Sequence, residues 1–270
     1  MYLVYTRTSN ELNEPSSWSL YTALVACVGV GNVSQLACDL LIHTLHLKPI
    51  AALYFQSLPA VVGANPYSSR STAPVLMTSQ VYVNHNLHLV VFQMRAPPFP
   101  GYQRTLIREF SIFLNEFRYK RLILLSSSFA TQRKDAELTG SPVRYSLTPD
   151  YNHADRDVLA AQNWTPLSPN HKENTSSLDK IQSPVTHHLR GCGIATRLFD
   201  QIGTVSPVCL INTFASEGDN IGDALHLLHR LSLWLDLLPE VDASRPTHEV
   251  WHPPPSWSML YGTRLSTCLY

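Results

Sequence analysis

Tyr21 to Val28 reads YTALVACV, an apolar run closed by Gly29-Val30-Gly31 and followed by NVSQLACDLLIHTLHL from Asn32 to Leu47. Eight residues without a charge between turn formers fit a central strand buried on both faces. In the stretch that follows, Asn32, Gln35, Asp39, His43 and His46 recur every three or four positions. Val33, Leu36, Ala37, Leu40, Leu41 and Leu45 fill the rest, so this is an amphipathic helix with one polar stripe. Strand, tight turn and helix form the opening unit of an α/β fold.

The same alternation continues downstream. Strands are expected at Ile50 to Phe55, Gln80 to Val83, Leu87 to Met94 and Arg121 to Leu125, with a turn-rich stretch between Pro59 and Pro74. After Pro97, Pro98 and Pro100 a second helix runs to about Tyr119. It carries Leu106, Phe110, Phe113, Leu114 and Phe117 on one face and Arg104, Arg108, Asn115 and Arg118 on the other. The final third supplies a helix near Ile194 to Ile202, a strand near Val205 to Thr213 and a long helix from Asp219 to Leu238. We therefore expect a single-domain α/β protein over 1–270, with a mostly parallel or mixed central sheet covered by helices on both sides. From 150 to 188 the composition turns to Asn, Ser, Thr, Pro, His and Lys. This reads as a flexible insertion with a short helix near Arg156 to Gln162, and 239–270 as a Pro-rich C-terminal tail segment.

The bulk numbers exclude several partners. Lys+Arg and Asp+Glu balance at 20 each, and charged residues are only 15% of the chain, so neither nucleic acid nor an anionic membrane surface is expected to bind. No apolar run reaches the roughly 20 residues of a membrane span. The N-terminus lacks the apolar core of a signal peptide. Cys27, Cys38, Cys192, Cys209 and Cys268 form no CxxC pair, which fits reduced thiols in a cytosolic protein. The sequons at Asn32, Asn163 and Asn174 are then chance matches.

Candidate chemistry is sparse. Gly29-x-Gly31 and Gly191-x-Gly193 precede helices, but Ser34 and Thr196 stand where a GxGxxG would need its third glycine. Ser126, Ser127 and Ser128 follow a buried strand without a GxSxG frame and read as hydroxyls that cap a strand exit. Together these residues keep open the alternative of a small-molecule enzyme or nucleotide-binding protein. His43 with His46, and His226 with His229, have helical i, i+3 spacing but no third metal ligand, so they belong to polar faces. Gln132, Arg133 and Lys134 offer a basic patch that reads as a solvated loop beside Asp135 and Glu137. Ser216, Glu217, Gly218 and Asp219 suit the capped start of the last long helix, and Glu217, Asp219 and Asp223 read as capping, not catalytic, acids. No catalytic, cofactor or metal residue is assigned.

Six collinear stretches carry a resemblance. VGNVSQLACDLLIHTL (Val30 to Leu45), NPY (Asn65 to Tyr67), LLSSSFATQRKDAEL (Leu124 to Leu138), SPVRYSLTP (Ser141 to Pro149), FASEGDNIGDALHLL (Phe214 to Leu228) and PSWSMLYG (Pro255 to Gly262) resemble the proteasome assembly chaperone 2 family. The resemblance implies a three-layer α/β/α sandwich of the phosphorylase/hydrolase-like kind, without enzymatic activity or cofactor, working in the cytoplasm and also the nucleus. It implies a heterodimer with proteasome assembly chaperone 1 that binds proteasome α subunits, promotes α-ring assembly and prevents off-pathway ring dimerisation. In related chaperones a hydrophobic-Tyr-X tail enters α-subunit pockets; here the last three residues are Cys268, Leu269 and Tyr270, with Leu in the penultimate place. The leucine-rich end of the last long helix supplies Leu233, Trp234 and Leu237 as expected partner contacts.

Overall fold

Strand β2 (Thr22–Ala26) is buried along its whole length and lies at the centre of the molecule. The computed structural model describes residues 2–5, 18–70, 72–168, 189–238 and 247–259. In chain order these form β1 (Tyr2–Tyr5), β2, α1 (Val33–Thr44), β3 (Lys48–Tyr54), the short pair β4 (Val62–Gly63) and β5 (Leu76–Met77), β6 (Ser79–Asn84) and β7 (Leu89–Met94). Then come α2 (Gln103–Glu116), β8 (Arg121–Phe129), β9 (Val143–Leu147), α3 (His153–Ala161), β10 (Thr165–Pro166), α4 (Ala195–Ile202), β11 (Cys209–Ala215), α5 (Ile221–Leu235) and α6 (Thr247–Val250).

Among the described residues, nine strands make one sheet in the order β1-β3-β6-β7-β2-β8-β11-β9-β10. The central four, β7, β2, β8 and β11, are parallel. Antiparallel β6, β3 and β1 extend one side, and antiparallel β9, with β10 parallel to it, extends the other. Alternation along β2 divides the core. Ala23, Val25 and Cys27 face a cluster built with α2 and α4, and Leu24 and Ala26 face one built with α1, α3 and α5. The result is a three-layer α/β/α sandwich with a mixed sheet.

On α2 the expected apolar face is the buried one, and Phe113 meets Phe117 edge-on at 5.1 Å and Phe92 at 6.0 Å. Three boundaries differ from expectation. Strand β8 continues through Ser126, Ser127 and Ser128 to Phe129, because β11 pairs with it residue by residue over that length. The last parallel strand starts at Cys209 and takes in Phe214 and Ala215, whereas Val205 is 70% exposed in the preceding turn. The stretch read as an insertion is instead built into the fold over 150–168: α3 buries Leu159, Trp164 packs behind it, and β10 joins the sheet edge. Residues 169–188 lie outside the described residues. In the tail segment, Trp251 is 2% exposed, the His252 N–H donates to Thr44 Oγ1 at 2.8 Å, and the Ser256 N–H donates to the Pro66 carbonyl at 3.2 Å.

Candidate binding rim at the C-terminal edge of the sheet

The C-terminal ends of β2, β7, β8 and β11 lie along one edge, where parallel α/β sheets place their ligands. At β2 that edge is filled by the chain itself. Gly31 has φ +63, and a Cβ there would run into the side chain of Asn220, the residue before α5. A Cβ on Gly29 would stand 2.6 Å from the Ser127 carbonyl oxygen, so this glycine lets two backbones touch. The Gly191 and Gly193 turn closes in the same way on Val30 and on the Val28 carbonyl. The serines are inside: Ser127 Oγ donates to the Val30 carbonyl at 2.6 Å, and Ser128 Oγ accepts from Asn212 Nδ2 at 2.8 Å. All three are wholly buried in the strand, so they are not hydroxyls at a strand exit. The glycines serve close packing here.

Where β7 leaves the sheet, the polar stripe of α1 proves to be partly internal. Gln35 and Asp39 are buried because the NPY loop and the end of β7 cover them. Arg95 grips Asp39 with both terminal nitrogens, Nη2 to Oδ1 at 2.7 Å and Nη1 to Oδ2 at 3.3 Å. Tyr67 Oη donates to Asp39 Oδ1 at 2.6 Å and accepts from Arg95 Nη2 at 2.9 Å, while Gln93 Nε2 reaches the same oxygen at 2.9 Å. Asn65 fixes the loop by accepting the Tyr67 N–H at 2.9 Å. Burial, with Asp39 beside it, pushes the Tyr67 phenol far up, and burial holds Tyr82 at about 12. Burial opposes the Arg95 charge, but the Asp39 carboxylate outweighs it and raises the guanidinium. Asp39 therefore ties α1, the loop at 65–67 and the exit of β7 into one unit.

That unit carries the apolar rim. Val61, Val62 and Val75 are 58–62% exposed around the β4–β5 pair, which Thr78 Oγ1 holds by donating to the Pro59 carbonyl at 2.5 Å. Phe99 and Tyr102, with ring centres 6.5 Å apart, stand beside it, joined through the Phe99 N–H to the Ser57 carbonyl at 2.9 Å. A groove of about 290 Å³ runs between Val61, Val62, Met77, Arg95 and Ala96. Exposed valines flanked by polar and turn residues form no periodic pattern, so sequence reading passed over them. Their signal was the presence of β-branched residues in a turn-rich stretch.

The residues expected at a partner surface fall in different places. Trp234 and Leu237 are 5% and 4% exposed within the chain's own core. Trp234 meets Trp164 edge-on at 5.8 Å and donates to Asp155 Oδ1 at 3.3 Å, and that carboxylate also receives Arg121 Nη2 at 2.7 Å. Asp155 on α3 and Trp164 just after it cover Trp234, and Leu237 belongs to the same core cluster. Leu233, on the outer side of α5, is 43% exposed. Cys268, Leu269 and Tyr270 lie outside the described residues.

The remaining candidates are structural as described. His226 meets Ser141 Oγ at 2.9 Å, and His43 stacks on Tyr67. Asp219 Oδ1 accepts the Ile221 N–H at 3.0 Å, a local cap for α5. Among the described residues no three His, Cys, Asp or Glu are grouped to hold a metal ion, and no helix is long and apolar enough to cross a membrane. Cys27, Cys38, Cys192 and Cys209 are free and buried, and burial pushes the Cys27, Cys38 and Cys209 thiols well up.

Sheet order and rim together define a mixed-sheet α/β/α scaffold with an apolar edge. Residues 23–204 match the PAC2 family, and the chain belongs to that family. It is 34% identical over 260 residues to Proteasome assembly chaperone 2 of Danio rerio, covering 94% of this chain and 96% of that one. It is 32% identical to the Homo sapiens protein of the same name, covering 93% and 95%. Among solved structures, Pyrococcus furiosus PbaA, described as an archaeal homolog of proteasome-assembly chaperone, superposes with a TM-score of 0.58 at 14% identity over 93% of this chain and 86% of that one. PbaB of the same organism, described as an archaeal proteasome activator, gives 0.57 at 16% identity over 90% and 91%. At those identities the likeness is one of fold.

Proposed function

We propose that this protein is a proteasome assembly chaperone that works by binding, with no catalytic step and no cofactor, as one half of a heterodimer with proteasome assembly chaperone 1. The pair binds proteasome α subunits, promotes α-ring assembly and prevents off-pathway ring dimerisation, in the cytoplasm and the nucleus. The observation that carries this reading is the 34% identity that runs over 94% of the chain to a relative named for that role. The structure adds support in the form of a rigid body whose strand-end glycines and serines are occupied by internal packing, beside an exposed apolar rim. A stable partner calls for an apolar face and a released client for a more polar one. We assign Val61, Val62 and Val75 to the face for the stable partner and add Leu233 as a contact. Cys268, Leu269 and Tyr270 are assigned to the α-subunit contact. Co-expression with proteasome assembly chaperone 1 of the same organism, followed by size-exclusion chromatography and capture of α subunits, tests the reading. A one-to-one complex that retains α subunits is expected, and a well-behaved monomer that ignores both would overturn it.

A further inference from the structure

Arg144 stands on β9 directly opposite Asn212 of β11 and is 1% exposed. Its Nη2 donates to the Glu137 carbonyl at 3.2 Å and to the Thr139 carbonyl at 3.0 Å, whereas Nε and Nη1 are buried with no hydrogen-bond partner. The neighbouring carboxylate is engaged elsewhere. Glu137 Oε2 accepts the Lys134 N–H and Oε1 the Ser168 N–H, each at 3.0 Å, so Glu137 bridges its own loop to the end of β10. Among the described residues no carboxylate pairs with Arg144.

A second guanidinium adds to the imbalance. Arg133, half-buried in the loop after β8, lies with Cζ 6.0 Å from the centre of the Phe214 ring, and its Nε and Nη2 are likewise buried without partners. Burial first, and Arg133 second, work against the Arg144 charge, and the Glu137 carboxylate offsets them only in part. On the same face of the ladder, opposite Arg144 and one strand further, the Asn212 Oδ1 and Ser126 Oγ atoms are also buried and unpartnered. Native proteins rarely leave so many buried polar groups unsatisfied in one place, and buried guanidinium nitrogens without hydrogen-bond partners are costlier than neutral orphans. The solvated-loop reading of Gln132 to Lys134 thus fails for Arg133.

We infer that Arg133 and Arg144 form a phosphate-binding site where the C-terminal halves of β8 and β11 meet the N-terminal end of β9. Guanidinium forks match tetrahedral oxyanions through paired N–H donors. The free Nε and Nη groups of two arginines suit an anion with three or four acceptor oxygens, and the Ser126 hydroxyl supplies a further donor on the same face. The ligand is phosphate chemistry, free or as a phosphomonoester. This site is independent of the valine rim and of the chaperone reading.

Titration calorimetry on the full-length protein tests the inference, with inorganic phosphate and, separately, AMP injected in chloride buffer of matched ionic strength. Saturable binding of at least one is expected. Preference for inorganic phosphate identifies the free ion as ligand, and preference for AMP identifies a phosphomonoester; either supports the site. Arg133→Gln and Arg144→Gln should each weaken binding tenfold or more, while Arg104→Gln, at an exposed position on α2, leaves it unchanged. If Arg144→Gln does not fold, Arg133→Gln on the half-buried loop carries the comparison. Absence of saturable binding, equal affinity in wild type and Arg133→Gln, or tighter binding of citrate than of either phosphate compound would overturn the assignment.

Discussion

Asp39 on α1 and Arg95 at the exit of β7 form a two-pronged ion pair across 56 residues of sequence, and one oxygen of that carboxylate also takes Tyr67 and Gln93. The pair is the joint between the helical layer and the loop that carries the exposed valines. Removing one partner of such a pair strands the other charge. Asp39→Ala should therefore cost about 3 kcal/mol, and Tyr67→Phe about 1 kcal/mol. Urea unfolding monitored by tryptophan fluorescence checks this through the midpoint at constant slope. A loss below 1 kcal/mol for Asp39→Ala would show that the joint is dispensable.

Gly31 combines a left-handed φ of +63 with a neighbour, Asn220, that occupies the place of a side chain. Gly31→Ala should cost more than 2 kcal/mol, because the backbone penalty of about 1 kcal/mol is joined by a clash that must push the start of α5. Gly101, also at positive φ but with open space around it, should lose only the backbone part on the same substitution. Equal losses at the two positions would remove the packing argument.

Asp200 on α4 is half-buried with an unpartnered Oδ1, and burial lifts its carboxyl to about 6 from an ordinary 3.8. A carboxyl with a raised folded pKa holds its proton better in the folded than in the unfolded chain. Stability from this group is therefore full below about pH 4 and falls as pH rises through 6. Asp200→Asn should gain about 1 kcal/mol at pH 7.5, the value being reduced by partial solvent screening, and gain nothing at pH 4. Thermal melts of both proteins between those pH values give the test, and a gain that does not vary with pH would contradict it.

Val62→Asp and Val75→Asp place charges on residues that are 60% and 62% exposed. Each should shift the melting temperature by no more than about 2 °C, since exposed substitutions stay within roughly 0.5 kcal/mol. On the proposed function, each should weaken capture of the stable partner at least tenfold. Retained capture by the double variant would move the interface away from this rim.

The α/β/α architecture was legible because YTALVACV and the Phe-rich face of α2 obey simple periodicities that burial enforces. Asp39 was legible as a member of a polar stripe, but its burial was not. Helical spacing records which residues share a stripe, not whether a distant loop such as Asn65 to Tyr67 folds over it. Trp234 and Leu237 show the converse error. Bulky apolar residues at the end of α5 suggested an outside partner, but the short helix α3, expected in a stretch read as a flexible insertion, packs with Trp164 over Trp234. Ser126 to Ser128 misled because hydroxyls are usual at turns, whereas β11 pairs with their backbone and draws them into the sheet. The exposed valines have no periodic signature, and the unmet guanidinium of Arg144 is a property of three-dimensional neighbours alone.

β2 lies between β7 and β8, so the first strand of the parallel core acquires its flanking strands only when residues 89–94 and 121–129 have been made. On a ribosome, YTALVACV leaves the exit tunnel with both hydrogen-bonding edges open until residues 89–94 follow, and with one edge open until 121–129 are made. Such long-range pairing is slow and leaves an aggregation-prone edge in the interim. A protein we assign to guarding others during assembly is therefore, during its own synthesis, a candidate for being guarded.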